Sequence, residues 1–224
     1  MKKITASIFL LPLLQILLSC AAGPQVRTEG VPEKEPERPV TELATGPAAV
    51  PEQPAPPEVP EYIMGRGMVP ARLLADFLIS SNPKADRDFT EALAGLYVGE
   101  AGIEGVNHDI AFAQMCLETG FLSYGGLVTA DMNNFCGLGA IGPERPGERF
   151  SDPLTGVRAH IQHLKGYATE EPLKQELVDP RYRWVRYGSS PRISGLAGTW
   201  ASDKRYAEKI NNILERLYIF SFDR

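Results

Sequence analysis

The chain has 224 residues, of which 43% are hydrophobic, and it carries a formal net charge of −5 at pH 7. These proportions support a globular core, while the acidic balance argues against a nucleic-acid binder, which needs a basic surface to neutralise phosphates. Collagen, a coiled coil, a disulfide-rich miniprotein and a multi-pass membrane protein are excluded by the same counts, which leaves a secreted or anchored globular domain.

Residues 1–19 have the pattern of a secretory signal peptide. A basic start with two lysines precedes an apolar run over residues 8–18, which is too short and too interrupted for a typical membrane-spanning helix. Cys20 follows this run and resembles the lipidated cysteine of bacterial lipoproteins; a free cysteine after an ordinary signal peptide is the alternative. The resemblance implies a lipid anchor at Cys20, in the outer membrane facing the periplasm or, in a single-membrane bacterium, on the outer face of the cytoplasmic membrane.

The segment over residues 20–62 is predicted to be a disordered tether. Between Gly23 and Pro60 it contains ten prolines, seven glutamates and no aromatic residue. Such a segment buries too little apolar surface to offset its ordering entropy. In a proline-rich conformation it would reach on the order of 100 Å, at about 3.1 Å per residue. We treat it as a solvated spacer and assign the folded domain to residues 63–224.

Helical patterns dominate residues 63–224. Apolar residues recur at helical spacing, with Asp88 as a candidate N-cap of the second helix and Asn107 or Asp109 as the start of the third. The predicted helices cover residues 69–79, 88–97, 110–118, 154–168 and 206–217. A stretch rich in Gly, Pro and Asn over residues 124–153 separates the third helix from the fourth. We expect a mainly α (α+β) domain with one short irregular or β-hairpin lobe, and long loops of this kind are usually functional.

The third predicted helix is apolar on almost every side and should be buried. Gln114 and Glu118 are its polar exceptions, and their i, i+4 spacing places them on one face. An apolar surround raises the pKa of a carboxyl group, and a carboxyl with a raised pKa that faces a cleft suits a general acid. The alternative is a structural ion pair between Glu118 and an arginine such as Arg158 or Arg183.

Four motifs follow one another in this part of the chain. They are residues 110–120 (IAFAQMCLETG), 133–139 (NNFCGLG), 156–168 (GVRAHIQHLKGYA) and 196–210 (LAGTWASDKRYAEKI). In this order they resemble the catalytic helix, the cleft motif, the next helix and the closing motif of the glucosaminidase family of peptidoglycan hydrolases (glycoside hydrolase family 73). The resemblance covers roughly residues 63–217 and implies a lysozyme-like helical fold.

The resemblance also implies roles for individual residues. Glu118 matches the general acid of the family, which protonates the glycosidic oxygen as it leaves. Tyr206 matches a tyrosine of the cleft that stabilises or orients the reacting sugar, although packing in the core is the alternative for a helix aromatic. The candidate substrate-binding residues are Gln114, Asn134, Phe135 and Gly137.

The second catalytic group is less clear from the sequence. Glycosidases with two carboxylates separate them by about 5 Å for retention or about 6.5–9.5 Å for inversion of configuration. Other members of the family carry a glutamate in a hairpin lobe that is shortened here to residues 142–150, which offer Glu144 and Glu148 without a clear match. Hydrolysis assisted by the acetamido group of the substrate would remove the need for a protein base, and we favour that mechanism.

Other candidate sites are weaker. His160 and His163 have the i, i+3 spacing of two metal ligands, but no third ligand lies at a telling spacing, so a solvated or cleft-lining role is favoured. Cys116 and Cys136 would form either a disulfide or two independent buried thiols. We therefore predict no metal and no cofactor.

The resemblance implies a peptidoglycan hydrolase that cleaves the β-1,4 bond between N-acetylglucosamine and N-acetylmuramic acid. The alternatives are a lytic transglycosylase or muramidase and, from a different class, a non-catalytic lipoprotein that binds the cell wall. The expected partners are glycan strands of peptidoglycan and, through Cys20, a membrane, whereas nucleic acid is not expected.

Overall fold

The computed structural model describes residues 57–223. The predicted signal peptide, the predicted lipidation site at Cys20 and residues 20–56 of the predicted tether lie outside this range and stay predictions. Within residues 57–223, no helix has the length and the apolar character needed to cross a membrane.

The described part of the chain is mainly α-helical, which confirms the predicted fold class. Its helices are α1 (Ala71–Ser81), α2 (Arg87–Glu104), α3 (His108–Thr119), α4 (Pro153–Ala168) and α5 (Tyr206–Phe222). Three single turns of 3-10 helix lie at Ala130–Met132, Tyr182–Trp184 and Ile193–Leu196. In place of β-strands, residues 57–223 contain only isolated bridges. One of them, between Gly142 and Arg145, closes a tight turn in the segment predicted to be an irregular or β-hairpin lobe.

The second helix differs most from its prediction. Its N-cap is Asp86, whose side chain accepts a hydrogen bond from the amide of Phe89 at 2.8 Å, so Asp88 lies in the first turn and is not the cap. The helix continues past the predicted end because buried side chains still face the core there. It ends at Gly105, whose φ of 78° lies in the left-handed region that glycine tolerates.

The third helix occupies the centre of the domain. It packs against α2, α4 and α5, and almost all its side chains are buried, as its apolar surround predicted. Asn107 caps its first turn by accepting hydrogen bonds from the amides of Asp109 and Ile110, and Gly120 ends it with a φ of 57°. The last turn of this helix therefore stops inside the fold, at the edge of the irregular segment that follows.

Residues 57–62, assigned above to the tether, lie against the domain. Val59 packs on the hydrophobic core, and the carbonyl of Glu61 accepts a hydrogen bond from the amide of Ile193 at 3.0 Å. Tyr62 forms an antiparallel bridge with Arg192. Residues 59–62 therefore pack with the folded domain and differ from the predicted tether.

The irregular segment between α3 and α4 is held by side-chain hydrogen bonds. Asn134 is its main brace, because its amide donates to the carbonyls of Leu138 and Glu148, both at 2.9 Å, while its oxygen accepts from the amide of Leu138 at 2.9 Å. Asn133 before it has a φ of 50°, which places its carbonyl against Gly156 in α4. The segment is therefore fastened to the fourth helix at a point where only glycine fits.

We expect Gly156→Ala to lower the free energy of unfolding by about 1–3 kcal/mol, measured by urea denaturation. A Cβ at this position would overlap the carbonyl oxygen of Asn133, so the loop or the helix must shift. Gly99→Ala in α2 is the matched control, since nothing lies within 4 Å of its Cβ position. That substitution should stabilise the protein by up to about 1 kcal/mol. Equal effects of the two substitutions would contradict the close packing at Gly156.

Candidate active site

Glu118 lies in the last turn of α3, half-buried, with its carboxyl group held by two donors. Its Oε1 accepts a hydrogen bond from the indole nitrogen of Trp200 at 3.1 Å and a second, very short one from the hydroxyl of Tyr206. The ion-pair alternative is wrong for this residue. Arg158 pairs with Glu100 at 2.9 Å, and Arg183 stacks over the ring of Trp184.

The surroundings of Glu118 favour the protonated carboxyl. Burial raises its pKa above the ordinary value of 4.5, and the hydrogen bonds from Tyr206 and Trp200 offset part of that rise. Because both donors bind Oε1, the proton of the neutral form belongs on Oε2. That oxygen faces Gly137, where an added Cβ would lie 3.3 Å from it.

A chain of buried hydrogen bonds leads to Glu118 from the core. Tyr97 binds Nδ1 of His160 at 2.8 Å, and Nε2 of His160 binds the amide oxygen of Gln114 at 3.0 Å. The amide nitrogen of Gln114 then donates to the hydroxyl of Tyr206 at 2.9 Å, and Tyr206 donates to Glu118. Burial lowers the pKa of His160 to about 3, so the ring is neutral. The amide oxygen of Gln114 can only accept, so Nε2 of His160 donates to it and Nδ1 accepts from Tyr97. Every donor in the chain therefore points toward Glu118.

The predicted substrate-binding residues occupy different places. The side chains of Gln114, Asn134 and Phe135 are buried, and none of the three is open to a substrate. Gln114 belongs to the hydrogen-bond chain, Asn134 braces the loop, and Phe135 packs in the core. Gly137 alone borders the cleft, next to Glu118. The cleft motif therefore shapes this wall mainly through its backbone.

Tyr206 is also buried, and both of its hydrogen bonds stay within the protein. Burial and the neighbouring carboxyl raise the pKa of its phenol well above 10, so it remains a donor. The structure thus places it where it orients Glu118. Contact with the sugar, which the resemblance implies, stays a prediction.

A cleft of about 210 Å³ opens beside Glu118. Gly137 and Trp200 belong to its lining. Trp200 donates a hydrogen bond to Glu118, and Oε2 of Glu118 lies 3.3 Å from the Cβ position of Gly137, so the carboxyl group lies next to the cleft. The rest of the lining comes from residues 138–141 and from Cys136, His163, Tyr167 and Arg181.

Several of these residues were missed by sequence reasoning. Trp200 stood inside the closing motif but carried no assigned role. Arg181 belongs to a stretch without periodicity or motif, so no sequence signal pointed to it. A solvated or cleft-lining role was predicted for both histidines. His163 does border the cleft. His160 is fully buried instead, and both of its ring nitrogens form hydrogen bonds inside the core.

The carboxylates considered as second catalytic groups lie in the shortened lobe. Glu144 is exposed on the tight turn, and Glu148 forms an ion pair of 3.7 Å with Arg181. Cys116 and Cys136 are both free and buried, so the disulfide alternative is wrong. Burial raises the pKa of both thiols, so both are neutral at physiological pH.

We expect Trp200→Phe to move the basic limb of the pH profile of kcat/KM to higher pH. That limb reports the loss of the general acid's proton in the free enzyme, and the indole donor lowers the pKa of Glu118. Without that donor the carboxyl holds its proton to higher pH. Trp184→Phe, at an exposed tryptophan, should leave the limb unchanged. An unmoved limb in Trp200→Phe would disprove this assignment of the limb.

The chain is similar in sequence to known proteins. Residues 94–219 match the sequence profile of a family described as mannosyl-glycoprotein endo-beta-N-acetylglucosaminidase, and this range contains Glu118, Trp200 and Tyr206. A protein of Borreliella burgdorferi, described only as uncharacterised, is 42% identical over 156 residues, which is 70% of this chain and 76% of the relative. No solved structure matches the chain.

Proposed function

Since the chain belongs to the glucosaminidase family, which supports peptidoglycan hydrolysis in general, we propose that it cleaves the β-1,4 bond between N-acetylglucosamine and N-acetylmuramic acid. The observation that carries the proposal is the environment of Glu118. A half-buried carboxyl with a raised pKa lies next to a cleft, and both of its hydrogen bonds go to the same oxygen, Oε1.

In the proposed reaction, Glu118 is the general acid. Tyr206 and Trp200 hold Oε1, which directs the proton on Oε2 toward the cleft. That proton passes to the glycosidic oxygen as its bond to the anomeric carbon breaks. The acetamido oxygen of the N-acetylglucosamine unit attacks the anomeric carbon from the opposite face. Glu118, now ionised, then takes a proton from the water that opens the cyclic intermediate.

The test is the chemistry of the new chain ends. Purified protein and its Glu118→Gln variant are incubated with peptidoglycan, the products are reduced with borohydride, and the fragments are identified by mass spectrometry. We expect reduced N-acetylglucosamine ends from the unmodified protein only. Reduced N-acetylmuramic acid ends would identify a muramidase, and anhydro ends a lytic transglycosylase. No release, with binding to the polymer retained, would identify a wall-binding protein.

We further propose that Cys20 carries a lipid anchor and that the protein faces the periplasm from the outer membrane, or the outside of a single membrane. The support is the cysteine directly after the predicted signal sequence, followed by a proline-rich spacer. Two lipid signals or more are needed for stable anchoring. Cys20→Ser should move the protein from the membrane fraction to the soluble fraction and abolish incorporation of labelled palmitate. Unchanged fractionation and labelling would contradict the anchor.

A further inference from the structure

His163 lines the cleft and is hydrogen-bonded to Asp179, and neither residue has a role in the reaction proposed above. Nδ1 of His163 and Oδ2 of Asp179 are 2.7 Å apart, and Asp179 is buried. The other carboxylate oxygen of Asp179 accepts a hydrogen bond from the amide of Arg181 at 2.8 Å. The amide of Asp179 itself donates to the side-chain oxygen of Gln162 at 3.2 Å. The carboxylate is therefore fixed in position against the imidazole.

The position of His163 relative to Glu118 is set by one indole ring. The imidazole lies edge-on to Trp200, with ring centroids 5.1 Å apart and planes at 83°, and the same indole donates to Glu118. A second aromatic ring, that of Tyr167, contacts the imidazole at 5.4 Å. The general acid and the histidine thus flank the same cleft.

The hydrogen bond to Asp179 determines what His163 presents to the cleft. A carboxylate accepts the proton on Nδ1, so Nε2 of the neutral ring carries a lone pair and acts as a base. Among residues 57–223, no side chain or backbone group forms a hydrogen bond with that nitrogen, and His163 lines the cleft. His160, one turn earlier on α4, differs because both of its nitrogens are bound in the core.

We propose that the Asp179–His163 pair is the second catalytic group of this site, with His163 acting on the acetamido N–H of the substrate. The proposal rests on the proposed function and supplies the base that Glu144 and Glu148 do not provide. An imidazole held by a buried carboxylate has the correct tautomer to accept a proton and is stabilised once it has done so.

The acetamido oxygen forms a bond to the anomeric carbon, the bond from that carbon to the glycosidic oxygen breaks, and the proton of Glu118 goes to the leaving oxygen. The acetamido N–H proton passes to Nε2 of His163, which leaves a neutral oxazoline. Water then attacks the anomeric carbon and gives a proton to Glu118, while His163 returns its proton to the nitrogen.

Several polar and aromatic side chains surround His163. Asp179 binds the ring from the loop after α4, and Tyr167 and the neutral His160 lie on the same helix. Arg181 and Cys136 face the same cleft from the loops on either side. Protonation of Nε2 would remove the lone pair that the step needs.

The test uses His163→Gln and Asp179→Asn in the full-length protein. We expect kcat on peptidoglycan to fall at least 100-fold for His163→Gln and at least tenfold for Asp179→Asn, with KM changed less than threefold. Asp131→Asn, at an exposed carboxylate, should change none of these values. Thermal unfolding checks that each variant is folded. If His163→Gln does not fold, Asp179→Asn still tests the pair, because asparagine keeps an acceptor for the proton on Nδ1.

A binding measurement separates this role from a structural one. A thiazoline analogue of N-acetylglucosamine imitates the oxazoline, so both variants should lose at least tenfold in affinity for it while binding N-acetylglucosamine oligomers as the unmodified protein does. Unchanged thiazoline affinity would overturn the acetamido role. If the unmodified protein is active, Glu118→Gln is inactive and His163→Gln retains activity within threefold, the pair is not catalytic and the proposed function stands. If the unmodified protein releases nothing, both fail together.

Discussion

Replacing Glu118 by glutamine is expected to lower kcat on peptidoglycan by about 10²–10⁴-fold, which is the usual contribution of a general acid. The amide has the same shape as the carboxyl but has no acidic proton for the leaving oxygen. Folding should not suffer. Burial raises the pKa of Glu118 in the folded state, so ionising it costs stability as pH rises above 4.5, and glutamine is free of that cost.

The difference in stability between Glu118→Gln and the unmodified protein should therefore depend on pH. Relative to the unmodified protein, Glu118→Gln should become more stable as pH rises from 4.5 toward neutrality, and the difference should vanish at lower pH, where Glu118 is protonated in both states. Glu144→Gln, at an exposed glutamate of the tight turn, is the activity control and should retain kcat within twofold. More than a tenth of the original kcat in Glu118→Gln would exclude that residue as the general acid.

Lys165→Met should lower the free energy of unfolding by about 3–5 kcal/mol, measured by urea denaturation. Lys165 and Glu104 are both fully buried, with nitrogen and oxygen 2.9 Å apart, and the ammonium also donates to the carbonyl of Pro172 at 2.8 Å. Methionine fills a similar volume but leaves the carboxylate of Glu104 buried without its counter-charge. The only described donors that remain to it are the amides of Lys174 and Gln175.

Two comparisons isolate the effect of that buried pair. The double variant Lys165→Met, Glu104→Gln should recover most of the lost stability, because no unpaired charge is then buried. Arg149 pairs with Asp131 at 2.8 Å, but the side chains are 58% and 71% exposed, so Arg149→Met should cost less than about 1 kcal/mol. Similar losses for Lys165→Met and Arg149→Met would show that burial does not govern the strength of this pair.

The helices were predictable where apolar spacing was uninterrupted. α3 and α4 agree with their predictions to within about a turn, and the fold class follows from them. α2 was predicted too short because Gly99 and Gly102 interrupt its apolar pattern, while the burial of Ala101 and Glu104 depends on elements far along the chain. Tertiary packing, which local propensity does not contain, decides such an end.

The site was predictable only in part, for a similar reason. Glu118 stood out as a polar residue in an apolar helix, and that signal is local. Gln114 gave the same signal, but its hydrogen-bond partner Tyr206 lies 92 residues away. The local sequence pattern therefore could not predict that Gln114 belongs to the buried hydrogen-bond chain. Asp179 lies in a loop without periodicity, and only the folded chain brings it to His163. The residue type indicates what chemistry a side chain can perform, whereas its hydrogen-bond partner depends on how the chain folds.

The central helix also determines how the domain is presented when it is held by its N-terminal side. The carbonyl of Ile63 accepts a hydrogen bond from Asn107 at 2.8 Å, so the chain joins the domain at the start of α3. Glu118 lies at the other end of that helix, about 16 Å away at 1.5 Å per residue. Val59 and Tyr218 border one shallow groove on the joining side. Pro57 borders the same groove, and Tyr218 donates a hydrogen bond to Asp109 at the start of α3. A bead or a fusion protein coupled ahead of Pro57 is therefore attached near the end of the helix opposite Glu118.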